Sequence, residues 1–544
     1  MRGPLQRLEK RKTDPMARMP TSRTIPGLLD ELATRFPVRE ALVGGGERYT
    51  YASLRVQVRA FAKGLHALGV RQGDKVAILM GNTPEWIIAD LAICQLGGVM
   101  VAVNTWATTR ELQYILAHSD ATMLVASDQY LKYDYFKMLG KLEPLAQSMP
   151  LMRHILHVGT RPYRDSIPFG EVFARGHSVG DVTIDAAGAA IDPNDVAYLL
   201  YTSGSTSTPK GVQLQHYALI ENMWNIGERM HVTEHDRLWL AVSLFWGLGC
   251  ENALFNLMTH GGCVVLQESF EAGEALRIIA EERCTIFYGM PNMVQAMAEH
   301  PDRAIYDISC MKRGGTLGTP EQLQRIVDLG VTNFSTIYGL TESYGNCTVA
   351  GADDPFDLKC ATVGKPLPGV DLRIVDVDTG KEQPRNTVGE IRLKGYVTIG
   401  YYKDEDKNRE AFDANGYFRT GDLGFLDEDD NLYFRGRLKE MIKTGGINVA
   451  PVEVEESLLR HPAVKLAFVT GVPDDRRDEV IAAVIVRQDG KTVDQSALAD
   501  HCRRELASYK VPRLMIFVDE RELPLTTTGK LQKNRLANFF MHKA

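Results

Sequence analysis

The sequence is informative first for what it lacks. Its eight cysteines stand far apart, no two form Cys-x-x-Cys, and no Cys/His cluster has zinc spacing. That sets aside zinc modules and fits a reduced, cytoplasmic setting, with all eight thiols acting as small core residues. No uninterrupted apolar run reaches the length of a membrane span. The most apolar region, Ile87 to Val103, is broken by Asp90, Gln95 and Gly97-Gly98, and reads as helix, turn, strand. Residues 1–24 are basic but have no apolar core for a signal peptide, so they read as a poorly ordered tail; an organelle-targeting peptide is the alternative, weakened by Glu9 and Asp14. An excess of positive charge is also missing. Sixty-two Lys and Arg against 69 Asp and Glu give −7, which makes no electrostatic case for a nucleic-acid partner or an acidic membrane. No internal repeat is present.

What is there is an ordinary globular composition, 44% hydrophobic and 24% charged, on a 544-residue chain too long for one core. Val76 to Met80, Pro84 to Leu96 and Val99 to Val103 read as strand, helix, strand, a βαβ unit of the kind that builds parallel sheets. Pro150 to Asp192 is rich in Gly, Pro and Asp and reads as a connection. Strands at Leu238–Ser243, Cys263–Leu266, Thr285–Tyr288 and Asn333–Ile337 alternate with helices at Gly249–His260, Ala272–Arg283 and Pro320–Leu329. The fold class is therefore α/β, with covered sheets over about 340 residues. Beyond Asp353 short strands and turns suggest a small β-rich lobe, about 353–436. A compact α+β tail follows, and the main boundary falls at about Leu438, giving domains 25–438 and 439–544.

The densest stretch runs from Asp195 to Val212. An apolar strand, Val196 to Tyr201, leads into Thr202-Ser203-Gly204-Ser205-Thr206-Ser207-Thr208-Pro209-Lys210-Gly211, and a helical pattern follows from Leu219 to Met230. Strand, small polar loop and helix is a setting in which N–H groups, hydroxyls and a lysine can surround a phosphate. A solvated Ser/Thr linker is the plainer alternative. The usual P-loop is excluded, because this loop ends Pro-Lys-Gly rather than Gly-Lys-Ser/Thr. Four other stretches share the texture. Tyr338-Gly339-Leu340-Thr341-Glu342 follows a strand, where ligands collect in open α/β sheets; Glu342 offers a hard oxygen for Mg²⁺, though the pentapeptide alone also fits an ordinary turn. Phe418 to Asp422 places a carboxylate after a tight turn, suited to a ribose diol. Arg437, Lys439 and Lys443 stand beside Gly445-Gly446, which a basic surface hinge would equally explain. Thr526 to Lys530 presents a lysine on a Thr/Gly turn, by default a solvated charge.

In this order and spacing the five stretches resemble the adenylate-forming superfamily of acyl-CoA synthetases, peptide-synthetase adenylation domains and luciferases, from about Ile25 to Leu536. The resemblance implies a large N-terminal adenylation domain, of two α/β subdomains and the β-rich lobe, and a small mobile C-terminal domain. It implies that Thr202, Ser203, Gly204, Ser205, Thr206 and Lys210 hold phosphates, that Gly315, Thr316, Tyr338 and Gly339 border adenine, and that Thr341 and Glu342 serve phosphate and Mg²⁺. Asp422 and Arg437 match the ribose positions, Lys439 the hinge, and Lys443, Gly445 and Gly446 the channel for CoA. Lys530 matches the lysine that bridges the substrate carboxylate and the α-phosphate. The implied reaction joins a carboxylic acid to AMP with loss of pyrophosphate from ATP, then to CoA.

Two positions depart from the family pattern: Ser207 stands where glycine is usual, and Trp246 where histidine is usual. Trp246, Gly247, Gly249, Gly289, Met290, Gly314, Gly318, Tyr344 and Gly345 make an apolar, glycine-rich wall with room for a bulky hydrophobic acid. The segment Ala241 to Trp246 has no acid to hold an α-ammonium, which disfavours amino acids. A medium- or long-chain fatty acid and an aryl or alicyclic acid both fit. Loading a carrier protein is the first alternative to CoA ligation, and nucleotide binding without turnover the second. A homodimer is left open.

Overall fold

The computed structural model describes residues 18–202, 209–444, 447–474, 478–525 and 531–541. The chain divides into two compact units: Met1–Asp371 with Leu393–Phe418, and Leu372–Arg392 with Arg419–Ala544.

The first unit carries two large sheets. Among the described residues, one has seven strands in the order Lys210–Gln215, Val196–Thr202, Val99–Ala102, Lys75–Leu79, Ala121–Ser127, His154–Val158 and Ile167–Pro168. The other has nine, ordered Lys365–Pro366, Thr348–Val349, Asn333–Tyr338, Arg313–Thr316, Ile286–Tyr288, Arg237–Leu240, Cys263–Leu266, Glu40–Gly44 and Glu47–Thr50. Central strands are parallel; antiparallel pairs close both edges of the nine-stranded sheet and the Lys210–Gln215 edge of the seven-stranded one, whose other edge is parallel. Period-2 alternation sorts side chains between layers. Val76 and Ile78 join Leu238 and Leu240 in a core shared by the two sheets and their intervening helices. Ala77 and Leu79 face a second core outside the seven-stranded sheet, and Trp239 and Phe287 a third outside the nine-stranded one. The helix Pro84–Gln95 is buried on every side, as a helix apolar all round must be.

The second unit holds most of a four-stranded sheet, Asp371–Val375, Gly389–Lys394, Phe418–Leu426 and Leu432–Arg437, and a sheet built on Val464–Asp474 and Asp478–Arg487. Helices Pro451–Leu459 and Gln495–Glu505 pack on the latter through Val454, Leu458, Leu498 and Cys502.

Four expectations are corrected. The phosphate-loop candidate is followed by a strand, Lys210–Gln215, before its helix, His216–Arg229. The reason is alternation: Val212 and Leu214 are buried between half-buried Gln213 and Gln215, a period of two. The presumed connection 150–192 contains the strand His154–Val158 and helices Phe169–Arg175 and Asp181–Ala189; its polar residues fill the exposed faces. The helix before Gly261 opens as a π-helix, Leu248–Ala253; its end at Gly261 is as expected, with φ of +76°. Finally, six cysteines are buried, but Cys310 and Cys360 are only half-buried.

Candidate active site

The strand Asn333–Tyr338 ends at a turn that the neighbouring backbone dictates. A Cβ on Gly339 would lie 2.0 Å from the Gly345 carbonyl oxygen, so only glycine fits. A 3-10 turn, Thr341–Ser343, follows. Ser343 Oγ accepts from the Leu340 N–H at 2.9 Å and holds it closed. Tyr344 and Gly345 are left-handed, with φ of +52° and +78°. Tyr344 is fully buried; its hydroxyl accepts from the Gln215 N–H at 2.8 Å, and its carbonyl accepts from Asn222 Nδ2 at 2.9 Å. These bonds tie the turn to the strand Lys210–Gln215, which forms a hairpin with Val196–Thr202, and to the helix His216–Arg229 after it.

Thr202 and Lys210 face each other as the last pair of that hairpin. Residues 398–402 run alongside and join it to the turn. Thr398 donates its N–H to the Glu342 carbonyl at 2.7 Å and its hydroxyl to the Gln213 carbonyl at 2.7 Å. Tyr402 N–H donates to the Gly211 carbonyl at 2.8 Å, and Val212 bridges Tyr401. The buried Tyr401 thereby comes between two functional candidates. Its hydroxyl donates to Glu342 Oε1 at 2.9 Å, and Lys210 Nζ stands 4.9 Å from its ring centroid. Burial first, and then the Glu342 charge, push the Tyr401 pKa far up, so the phenol stays a donor. One aromatic ring thus spaces an ammonium from a carboxylate, with the hydroxyl fixing the carboxylate's orientation.

Gly314, Gly315 and Thr316 lie on the adjacent strand, Arg313–Thr316. Thr316 is buried and donates to the Gly289 carbonyl at 3.3 Å; Tyr338 is buried at the end of the next strand. In the second unit Asp422 and Arg437 are opposed on paired strands, with Arg437 Nε 3.4 Å from Asp422 Oδ1. Asp422 is buried, and its N–H donates to Thr420 Oγ1 at 3.0 Å. Lys439 lies in the turn Leu438–Glu440, and the Lys443 N–H donates to Glu479 Oε2 at 2.7 Å. Ser203, Gly204, Ser205, Thr206, Ser207, Gly445, Gly446 and Lys530 lie outside the described residues.

Of the residues expected to border the acyl group, Trp246 is half-buried in an aromatic trio. Its ring meets Trp106 edge-on at 5.5 Å and Phe245 at 5.4 Å, and Trp106 meets Phe245 at 5.3 Å. Met290 precedes the helix Pro291–Ala298. The glycines do not by themselves make free volume. A Cβ on Gly314 would meet the Phe287 carbonyl at 2.3 Å, one on Gly289 the Phe287 ring at 2.7 Å, and one on Gly247 Glu251 Oε1 at 2.2 Å. Glu251 is 1% exposed. Burial, and then the Glu342 charge, raise its pKa well above 4.5, against the Gly345 N–H.

Sequence reading missed Tyr401, Trp106 and Glu251. An aromatic pair, Tyr401-Tyr402, between Gly400 and Lys403 is the available signal for the first, and the lone acid of the helical run Leu248–His260 for the last. Among the described residues no helix is long and apolar enough to cross a membrane, and no group of three ligands is placed to hold a metal ion.

Two family models name the class of protein that carries this arrangement. Residues 29–402 match the AMP-binding enzyme family, and 453–530 the AMP-binding enzyme C-terminal domain. The chain is 33% identical over 521 residues to the methyl-dioxo-octahydro-indenyl-propanoyl:CoA ligase of Mycobacterium tuberculosis, covering 94% of this chain and 98% of that one. It is 31% identical over 539 residues to the bovine (Bos taurus) mitochondrial medium-chain acyl-CoA ligase ACSF2, covering 95% and 87%. The crystal structure of the anthranilate CoA ligase AuaEII with anthranoyl-AMP superposes with a TM-score of 0.80 at 25% identity, covering 96% and 98%. The chain belongs to the AMP-binding enzymes, in the acyl-CoA ligase branch of the adenylate-forming superfamily.

Proposed function

We propose that this protein is an ATP-dependent carboxylate–CoA ligase acting on a hydrophobic carboxylic acid, and that the residues singled out above carry the two half-reactions. The observation that carries the reading is the Lys210–Tyr401–Glu342 cluster, an ammonium and an oriented carboxylate at the strand ends. In the first half-reaction a carboxylate oxygen attacks the α-phosphorus of ATP, the bond to the β-phosphate oxygen breaks, and pyrophosphate leaves. Thr202, Lys210 and Thr341, with the loop residues Ser203, Gly204, Ser205 and Thr206, hold phosphate oxygens. Gly315, Thr316, Tyr338 and Gly339 border the adenine, and Asp422 accepts from the ribose hydroxyls with Arg437 beside it. Glu342 is a hard oxygen ligand of the type Mg²⁺ takes, and the ion supplies charge neutralisation when bound. Lys530 offsets the repulsion between the two anions; a preorganised cation contributes ~3–4 kcal/mol at such a transition state.

In the second half-reaction the thiol sulfur attacks the acyl carbon, the bond to the AMP oxygen breaks, and AMP leaves. Lys443, Gly445 and Gly446 line the thiol's path, and residues beyond Lys439 turn about it as a C-terminal domain. Trp246, Gly247, Gly289, Met290, Gly314, Gly318 and Tyr344 border the acyl group. Eight free thiols support a reducing, cytoplasmic compartment. The relatives' names point to medium-chain and alicyclic acids. Purified protein with ATP, Mg²⁺ and a panel of such acids should release pyrophosphate in an acid-dependent way and form thioester when CoA is added. Acid-independent release, or none, refutes the reading; adenylate without thioester shifts the acceptor to a carrier protein.

A further inference from the structure

Outside the groups used above, a set of buried polar groups short of partners lies, among the described residues of the first unit, where the π-helix Leu248–Ala253 meets the turn at Gly345. Glu251 is fully buried, and no side chain reaches either of its oxygens; the Gly345 N–H is the one group that acts on the carboxylate. The buried Asn252 uses its Oδ1 to accept from the Tyr288 hydroxyl at 2.5 Å, which leaves Nδ2 as a donor without a partner. Both groups converge on one place. Asn252 Nδ2 is 2.8 Å from the point a Cβ on Gly345 would occupy, and the Gly345 N–H is the backbone group that acts on the Glu251 carboxylate. Glu251 Oε1 lies against Gly247, directly after Trp246. Glu251 is thus next to the residue that follows Trp246 and within reach of the Glu342 charge, and Asn252 meets it at Gly345.

Leaving a buried polar group unpaired costs about 1–3 kcal/mol, more for a carboxylate, and π-turns in helices gather at functional sites. An apolar fatty chain would satisfy none of these atoms. A hydroxyl satisfies both kinds, since it donates one hydrogen bond and accepts another. We infer that Glu251 and Asn252 form a polar subsite for a hydroxyl group on the body of the acid, Glu251 accepting from it and Asn252 Nδ2 donating to it, which makes a hydroxylated hydrophobic acid the preferred substrate class. The inference rests on the reading of Trp246 and Gly247 as the acyl wall.

The test uses the full chain with ATP and Mg²⁺, and pyrophosphate release as the readout. The probes are octanoate, its positional hydroxyoctanoates, cyclohexylpropanoate with its ring-hydroxylated counterparts, and ω-aminooctanoate. The quantity is kcat/KM for each substituted acid relative to its plain parent, within each variant, so that overall losses cancel. At least one hydroxy acid should exceed its parent by about tenfold or more, because a site with paired polar groups discriminates strongly against an analogue that leaves them unpaired. The ratio should fall to about one in Glu251→Leu and to an intermediate value in Glu251→Gln, which keeps an acceptor and nearly the same shape. Ratios near one for every isomer in the unaltered protein overturn the assignment without any variant. A preference for the amino acid over every hydroxy acid overturns the ligand class, and a ratio unchanged in both variants overturns the role of Glu251. If no acid yields pyrophosphate, the ligase reading itself fails; equal turnover of parent and hydroxy acid leaves that reading standing and removes only this subsite.

Discussion

Replacing Tyr401 by phenylalanine isolates one atom of the proposed site. The ring that faces Lys210 at 4.9 Å remains, and the hydroxyl that reaches Glu342 at 2.9 Å is lost. A hydrogen bond to a charged acceptor contributes about 1.5–3 kcal/mol, and each 1.4 kcal/mol is about a factor of ten. If Glu342 must be held in one orientation in the transition state, kcat/KM for pyrophosphate release should fall by about 10- to 100-fold. Tyr401→Leu removes the aromatic face as well, and a cation over a ring adds about 0.5–1 kcal/mol, so this variant should lose a further two- to fivefold. The double variant Tyr401→Phe with Glu342→Gln should be hardly worse than Glu342→Gln alone, because the hydroxyl acts through that carboxylate. Acid-dependent pyrophosphate release at saturating ATP measures the four variants against the unaltered protein, with melting temperatures as the control for folding. Tyr401→Phe within twofold of the unaltered protein, while Glu342→Gln is crippled, would refute the claim that Tyr401 positions Glu342. Full additivity in the double variant would refute it as well.

Three further outcomes follow from single observations. Gly339→Ala places a methyl 2.0 Å from a backbone oxygen and should displace the Thr341–Glu342 turn, cutting pyrophosphate release by about 100-fold or more; near-normal turnover would show that the turn tolerates the shift. Lys533 stands 3.0 Å from Glu440 and 3.2 Å from the half-buried Glu455, so Lys533→Met should destabilise the second unit by about 1–3 kcal/mol, read by hydrogen exchange in Val464–Asp474, and no change would mean that the pair is compensated. Burial raises Asp90 to about 7 from 3.8, against a hydrogen bond at 2.6 Å from the Tyr198 hydroxyl. The folded state thus retains a proton that the unfolded chain releases, a contribution to stability that is full below about pH 4 and lost as pH rises through about 7; Asp90→Asn should therefore gain on the order of 4 kcal/mol relative to the unaltered protein between pH 4 and pH 8, and a pH-independent difference in denaturant midpoint would contradict it.

The parts of this protein that were legible in its sequence are those whose cause is local. The strands at Val76, Val99, Cys263 and Asn333 declare themselves by apolar runs between turn residues, and the helix end at Gly261 by a left-handed glycine. Glu342 was readable because a strand end and its turn are contiguous in sequence. The strand Lys210–Gln215 is equally local, but the stronger periodicity of the helix beyond it masks its Val-Gln-Leu-Gln alternation. Glu251 hides for a different reason. A π-turn adds a residue to the helical repeat, so a pattern of 3.6 assigns its side chain to the wrong direction.

Tyr401 marks the limit of such reading. Its two partners, Lys210 and Glu342, lie 191 and 59 residues away along the chain, and the three meet only because Thr398, Tyr401 and Tyr402 take up backbone bonds that the hairpin and the turn leave open. Motifs record the groups that touch a ligand, since chemistry restricts those to a few residue types. The side chains that orient them are restricted by geometry instead, and many residue types can supply a hydroxyl or a ring from many places in the fold. Wherever a functional carboxylate stands at a strand end, its orienting partner therefore has to be sought on whatever segment completes the neighbouring backbone hydrogen bonds, and here that segment is 398–402.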